Sequence, residues 1–416
     1  MDYLRKFTSR IKSKIIYAHD VLSTSRGATP TESPAMSLCF VLNYEYKNIG
    51  GASTRFRSEV EYFASKGYPV TVIYSSYRKE KFFRKGKVNY YNIRHIRHEL
   101  AIFTAKLFFK CLKQQLSNRR LIFIANNPIS SIPPSLLRLT GLRPKTVLVM
   151  HGPSAVETYL KGKKAKAVFQ SIIDRISFAL VGKIVAVSEY EQNYAVSLRA
   201  NPKKITIIRN GIELPRLIEH SPFRQEIGIP SDSIAIGYIG SWVAYRGVEF
   251  LIEAFSVVKT MTQTPLALIL VLEEKLSDEQ IREIKEIARS HQESVYIAKP
   301  REDVSLVLST LDIYASHFSK KVDGIGFSIM EAMASALPVI TGKDSITNKL
   351  LKDGVNAVLV EKENPKQIAE AIKTLAEDPS LRKKIGNNAQ KTAREKFSRS
   401  HMLTLCEKEY LNVVQH

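Results

Sequence analysis

Asp323 and Glu331 stand with seven residues between them, around a turn that reads Gly324-Ile325-Gly326-Phe327-Ser328. Two glycines in such a turn expose backbone N–H groups. A helix expected to open at the second carboxylate adds the positive end of its dipole, so the segment suits an anion such as a diphosphate. Carboxylates at its two edges would accept hydrogen bonds from hydroxyls, as on a sugar and a ribose. A short apolar strand, Leu337-Pro338-Val339-Ile340, follows. Together these residues point to a sugar-nucleotide site. The plainer alternative is a buried strand–helix turn with a solvated Asp and a Glu serving the helix N-terminus.

Side chains so placed need a scaffold whose strands end at a common edge. The pattern predicts a first strand over 37–42, a loop containing Gly50-Gly51, a helix over 54–66 and a strand over 70–74. This is a βαβ unit with glycines at the carboxyl end of its first strand, where doubly wound sheets bind ligands. Further strands are expected over 121–125, 146–150 and 183–187. A second series follows over 234–239, 266–272, 295–297, 313–315, 338–340 and 357–360, with helices over 248–259, 278–290 and 367–375. Regular alternation of this kind predicts α/β domains with parallel sheets. We divide the chain into Rossmann-like halves over 35–215 and 216–395 that meet across a cleft, and a final helix within 396–416.

With 416 residues, 44% of them hydrophobic, two or three domains can each bury a core. No apolar run approaches the roughly 18 residues of a membrane span. Residues 1–22 read as a basic amphipathic helix and 23–34 as a Ser/Thr/Pro-rich tether, without a signal-peptide core. Such a helix suits a membrane surface or the folded body equally. Cys39, Cys111 and Cys406 show no metal spacing, and reduced thiols in the cytoplasm are the expectation. Charge is uneven: residues 35–215 hold 30 Lys+Arg against 10 Asp+Glu, a net +20, whereas 216–395 hold 23 against 25. The first half therefore faces something anionic.

The segment 323–331 closely resembles the Glu-x7-Glu signature of retaining GT-B glycosyltransferases of family 4. The resemblance runs in order from residue 37 to 400. It implies a GT-B fold whose C-terminal helix crosses back to the first domain. Asp323 then touches the donor sugar and Glu331 the ribose, with Gly324, Ile325, Gly326, Phe327 and Ser328 at the diphosphate. Asn48-Ile49-Gly50-Gly51-Ala52 resembles the family's N-terminal glycine pair, whose backbone approaches that diphosphate; a β-carbon would keep the chain from closing on it. His151, followed by Gly152, matches a His-Gly near the donor sugar, where an imidazole can donate to a hydroxyl. Val185–Ser188, Ile205–Ile208 and Asn210-Gly211 match the hinge side.

Departures accompany the match. Asp323 is one methylene shorter than the family's Glu. The family's Arg and Lys clamp on the diphosphate reads Ser241 and Arg246, so one cation is missing, with Arg209 a candidate replacement. The glycine-rich turn after the 266–272 strand reads Glu273-Glu274, and the later Gly-Gly-x-x-Glu loop reads Gly342-Lys343-Asp344-Ser345 and then Lys349.

Two basic runs, Tyr77–Lys87 with Phe82-Phe83 and Lys161–Lys166, suit an interfacial surface with aromatics among headgroups and cations on phosphates. Solvated charge runs are the alternative. The resemblance implies transfer of a hexose-type sugar from a nucleotide diphosphate to an acceptor glycan or glycolipid, with retention and no enzymic nucleophile. No Asp-x-Asp pair calls for a metal, and no cofactor is expected beyond the nucleotide-sugar substrate. The expected place is cytoplasmic, peripheral on an anionic membrane surface. A basic nucleic-acid-binding protein is the main rival, but no recognised nucleic-acid module appears and such a binder leaves 323–331 unexplained. A nucleotide-sugar epimerase and a non-catalytic homologue are further alternatives.

Overall fold

The computed structural model describes residues 36–44, 51–78, 80–94, 100–118, 120–215, 218, 221–243, 246–272, 276–301, 303–321 and 323–415. The expected extension and tether over 1–34, Gly50 and the Glu273-Glu274 pair lie outside the described residues.

Eight strands build the first sheet: β1 (Ser37–Val41), β2 (Val70–Ser76), β3 (Lys81–Lys85), β4 (Val88–Arg94), β5 (Leu121–Ala125), β6 (Lys145–Met150), β7 (Lys183–Ala186) and β8 (Ile205–Ile207). Their spatial order is β3-β4-β2-β1-β5-β6-β7-β8. All neighbours run parallel except β3 and β4. Every residue of β1 is buried, as a central strand covered on both faces requires. Strand β1 sits between β2 and β5, so the chain reverses direction across the sheet there and opens a crevice at the strand ends.

The β3–β4 hairpin was not expected from the sequence. Its basic run forms an edge strand in which Phe83 stacks on Tyr90 at 4.9 Å and Phe82 tilts against Tyr91 at 4.7 Å. Exposed Lys81, Arg84 and Lys85 keep that open edge from pairing with another chain. Part of the basic surface thus protects a sheet edge.

Six parallel strands form the second sheet: β9 (Ile234–Gly240), β10 (Leu266–Leu272), β11 (Val295–Ala298), β12 (Ile313–Ser316), β13 (Val339–Gly342) and β14 (Val358–Val360). Their order is β11-β10-β9-β12-β13-β14, which places the reversal at β9. All seven residues of β10 are buried. Helices cover both faces of each sheet. Those that matter for the cleft in the first domain are α1 (Gly51–Ser65), α2 (Lys164–Leu180) and α3 (Glu189–Ser197). Their counterparts in the second are α4 (Val248–Val258), α5 (Phe327–Ala334) and α6 (Pro365–Glu377). An 18-residue helix, α7 (Pro379–Lys396), leads to the last helix, α8 (Arg399–Gln415).

The chain passes between the domains twice, and the two passes touch. Ile212 donates its N–H to Phe397 at 2.8 Å and accepts from Arg399 at 3.0 Å. A β-carbon on Gly211 would lie 2.7 Å from Arg399 Cα, so only glycine permits this approach. Beyond the crossing, α8 returns to the first domain and buries Met402, Leu403, Cys406 and Tyr410 in its core. There Arg55, 1% exposed, bonds Glu59 at 2.8 Å, the Ile208 carbonyl at 2.8 Å and Cys406 Sγ at 3.3 Å. Tyr410 donates to the other Glu59 oxygen at 2.7 Å. A buried charge pair so completely bonded locks α1, α8 and the crossing together.

Candidate active site

The carboxyl ends of both sheets face a shared cleft of about 770 Å³. Its walls come from the start of α1 and the loops after β6, β7 and β8 on one side, and from the segments after β9, β11, β12 and β13 on the other. His151, Arg246, Glu331 and the run from Asp323 to Ser328 all line it. Residues 172 positions apart in sequence, His151 and Asp323, thus share one chamber. Ser241 is not among the lining residues; its carbonyl instead accepts from the Tyr238 hydroxyl at 3.0 Å. Gly51 begins α1, whose first turn places Ala52 and Thr54 in the cleft lining.

The turn around Asp323–Glu331 differs in one respect from the sequence expectation. Helix α5 opens at Phe327, with Gly326 as an extended N-cap at φ −78° and ψ 167°, so Glu331 lies one turn inside the helix. The free N–H groups that begin α5 therefore belong to Phe327 and its neighbours. Helix α3 aims a second N-terminus at the cleft, capped by Ser188, whose Oγ accepts from Tyr190 N at 3.0 Å. Both are suited to negative charge.

Burial sets the electrostatics of the titratable groups. It pushes the Glu331 carboxyl up to about 7. No hydrogen bond or ion pair to that carboxylate exists among the described residues, so it is open to hydroxyl donors. His151 is pushed down to about 3 by burial and then by nearby Arg55, so the imidazole is neutral. Its Nδ1 is buried without a hydrogen-bond partner, which leaves a polar atom in the cleft wall for a ligand to satisfy.

Several residues in or behind the cleft wall escaped the sequence reading. His317 follows β12 at φ +64°, a left-handed conformation uncommon for a residue with a side chain. Its Nδ1 lies 2.8 Å from Ser316 Oγ. Burial first, then Arg246 and Lys362, lower it to about 3, which keeps a second neutral imidazole in the wall. The ring rests against Gly326, where a β-carbon would be 2.9 Å from Nε2; this explains the second glycine of the turn. Lys362, just beyond β14, binds Asp323 Oδ1 at 2.7 Å and Asp344 Oδ2 at 3.1 Å. Burial alone would raise the Asp344 carboxyl, but Thr347 and Lys362 outweigh it and hold the group below the usual carboxylate value. No local pattern marked Lys362, and Asp344 stood out only as a departure. Arg209, the suggested spare cation, lines the cleft while paired with Glu189 at 2.6 Å. Arg57, Arg301, Lys321 and Arg399 add further positive charge to the lining.

The chain matches the family Glycosyltransferase Family 4 over residues 49–216 and the family Glycosyl transferases group 1 over residues 220–392. It is 24% identical to the capsular polysaccharide biosynthesis glycosyltransferase CapM of Staphylococcus aureus, with 82% of this chain and 89% of that protein aligned. Among solved structures, sucrose-phosphate synthase of Thermosynechococcus elongatus superposes with a TM-score of 0.73 at 15% identity, covering 91% of this chain and 99% of that one. HepE of Anabaena, solved in complex with UDP and glucose, superposes with a TM-score of 0.70 at 19% identity, covering 90% and 99%. Two parallel-sheet domains enclosing such a cleft make this protein a GT-B glycosyltransferase. Within that class it belongs to the family-4 type.

Proposed function

We propose that this glycosyltransferase moves a sugar from a nucleotide diphosphate to an acceptor hydroxyl with retention at the anomeric carbon. The observation that carries the reading is Glu331: a largely buried carboxylate without a protein partner, one turn inside a helix whose N-terminus opens on the cleft. Ribose hydroxyls fit that group. The N–H groups around Gly326 and Phe327, with Arg246, suit the diphosphate, and Asp323 and His151 suit the sugar. In the step proposed, the acceptor oxygen bonds to the anomeric carbon on the face from which the diphosphate oxygen departs. The acceptor proton passes to that leaving oxygen, so no enzymic nucleophile and no added cofactor are needed.

The relation to a capsular polysaccharide enzyme supports a cell-envelope glycan or its lipid-linked precursor as acceptor. The first domain supports a peripheral position on the inner, anionic face of a membrane. Val168, Phe169, Ile172 and Ile176 recur on the exposed face of α2, between exposed Lys161, Lys163, Lys164, Lys166 and Arg175. No helix among the described residues is long and apolar enough to cross a membrane. The test is incubation with UDP-, GDP- and ADP-sugars plus membrane lipid extract, following nucleotide release and the anomeric configuration of the product. Release with an inverted product would overturn retention. An inert protein that bound DNA tightly and salt-sensitively would overturn the donor assignment.

A further inference from the structure

We propose that Lys362 is the positioning residue of the donor-sugar end of the cleft, fixing Asp323 so that one carboxylate oxygen is presented to a sugar hydroxyl. The inference rests on the nucleotide-sugar reading above and names what orients its shortened acid. Asp323 alone is a short side chain on a turn, and its side chain is 37% exposed. Nothing in its own segment would hold its torsions. Lys362 does so from a different strand end: its side chain is 5% exposed, and its Nζ contacts both Asp323 Oδ1 and Asp344 Oδ2. Room for its stem comes from Gly342, where a β-carbon would lie 2.5 Å from Lys362 Cγ.

Asp344 fastens the same turn through its backbone. It accepts from Gly324 N at 3.2 Å, Ile346 N at 2.9 Å, and Thr347 N and Oγ1 at 2.8 Å each. The turn is thus held by Asp344 through the Gly324 amide and by Lys362 through the Asp323 side chain. Asp323 Oδ2 makes no hydrogen bond among the described residues, and Asp323 lines the cleft whereas Lys362 does not. The lysine therefore acts through the aspartate. An acid fixed before the ligand arrives loses less rotamer freedom on binding, which favours the sugar and leaves the nucleotide unaffected. The two departures from the resembled pattern, the shortened acid and the Asp344 loop, then form one device.

Isothermal titration separates this role from a structural one. Wild type is titrated with the UDP, GDP and ADP forms of glucose and with the matching free nucleotides. Lys362→Met should weaken the nucleotide-sugar about tenfold relative to wild type, the scale of one charge-assisted hydrogen bond, and leave the free nucleotide unchanged. In an Asp323→Asn background the same change should no longer alter that ratio. Equal weakening of sugar-nucleotide and nucleotide, or an unchanged loss in the Asp323→Asn background, would overturn the proposal. Should Lys362→Met fail to fold, Lys362→Met/Asp344→Asn neutralises the buried acid too and is held to the same two results. A wild type that binds none of these ligands overturns the nucleotide-sugar reading, and this inference falls with it.

Discussion

The two domains carry similar sheets and present unlike surfaces. Residues 35–215 hold a net +20, and twelve of the large exposed hydrophobic side chains among the described residues lie there; beyond residue 215 there are three, in a nearly neutral domain. The first domain keeps its buried charges for architecture, as in the Arg55–Glu59 pair that anchors α8. In the second domain, charges of the Asp323–Lys362–Asp344 cluster and Glu331 gather at the cleft. Buried ionisable groups can thus serve stability or recognition. What separates the two is whether every polar atom finds a protein partner. Glu59 has both carboxylate oxygens bonded, whereas Glu331 has neither.

Removing one buried charge from each class is the hardest test of that contrast. Glu331→Ala should lower turnover about 1,000-fold while the circular-dichroism spectrum stays that of the folded wild type, because in the proposed site it removes a ligand contact and no protein hydrogen bond. An active Ala variant would remove the ribose assignment. Arg55→Leu should do the opposite, costing about 3–5 kcal/mol of stability by stranding Glu59, measured by denaturant unfolding. A smaller loss, about 100-fold in kcat, is expected for Arg246→Ala, whose guanidinium lines the cleft and is proposed to meet the departing diphosphate. Val168→Glu/Ile172→Glu should reduce partitioning to anionic liposomes about tenfold while nucleotide titration is unchanged; equal partitioning would detach the exposed face of α2 from any bilayer role.

The smallest effect concerns pH. Because burial raises Glu331 to about 7, the unliganded protein holds it partly protonated near neutrality. Hydroxyls that donate to a carboxylate favour its ionised form, so nucleotide affinity should rise several-fold from about pH 6 to 8, and stay flat in Glu331→Gln. The sign reverses for folding. A raised carboxyl stabilises the fold at low pH, and that contribution is lost as pH climbs from its ordinary 4.5 through about 7. Glu331→Gln should therefore be the more stable protein at pH 8.

Much of the architecture was legible because it rests on short-range patterns. Fully buried runs such as 266–272 read as central strands, and the strand over 121–125 matches residue for residue. Boundaries slipped at helix starts: α1 begins at Gly51, three residues earlier than expected, and the Gly326 cap places Glu331 within α5 and not at its start. The β3–β4 hairpin went unseen because its charge run masked Phe83, Val88 and Tyr90, which pack into one core. In the site, the acid–glycine–acid segment was visible because a turn and a helix start are local chemistry. Ser241 rested on likeness alone; Ile239 and Gly240 just before it line the cleft, but it does not.

By itself, the sequence determined two α/β halves, their charge asymmetry and the turn from Asp323 to Glu331, since strand period, composition and turn chemistry are properties of neighbouring residues. Tertiary structure alone decided which of those groups are satisfied. Lys362 reaches Asp323 across 39 residues, and Arg55 reaches Cys406 across 351. Such pairings depend on where strand ends converge in space, and a hydrogen bond between distant residues leaves no periodic trace in the chain.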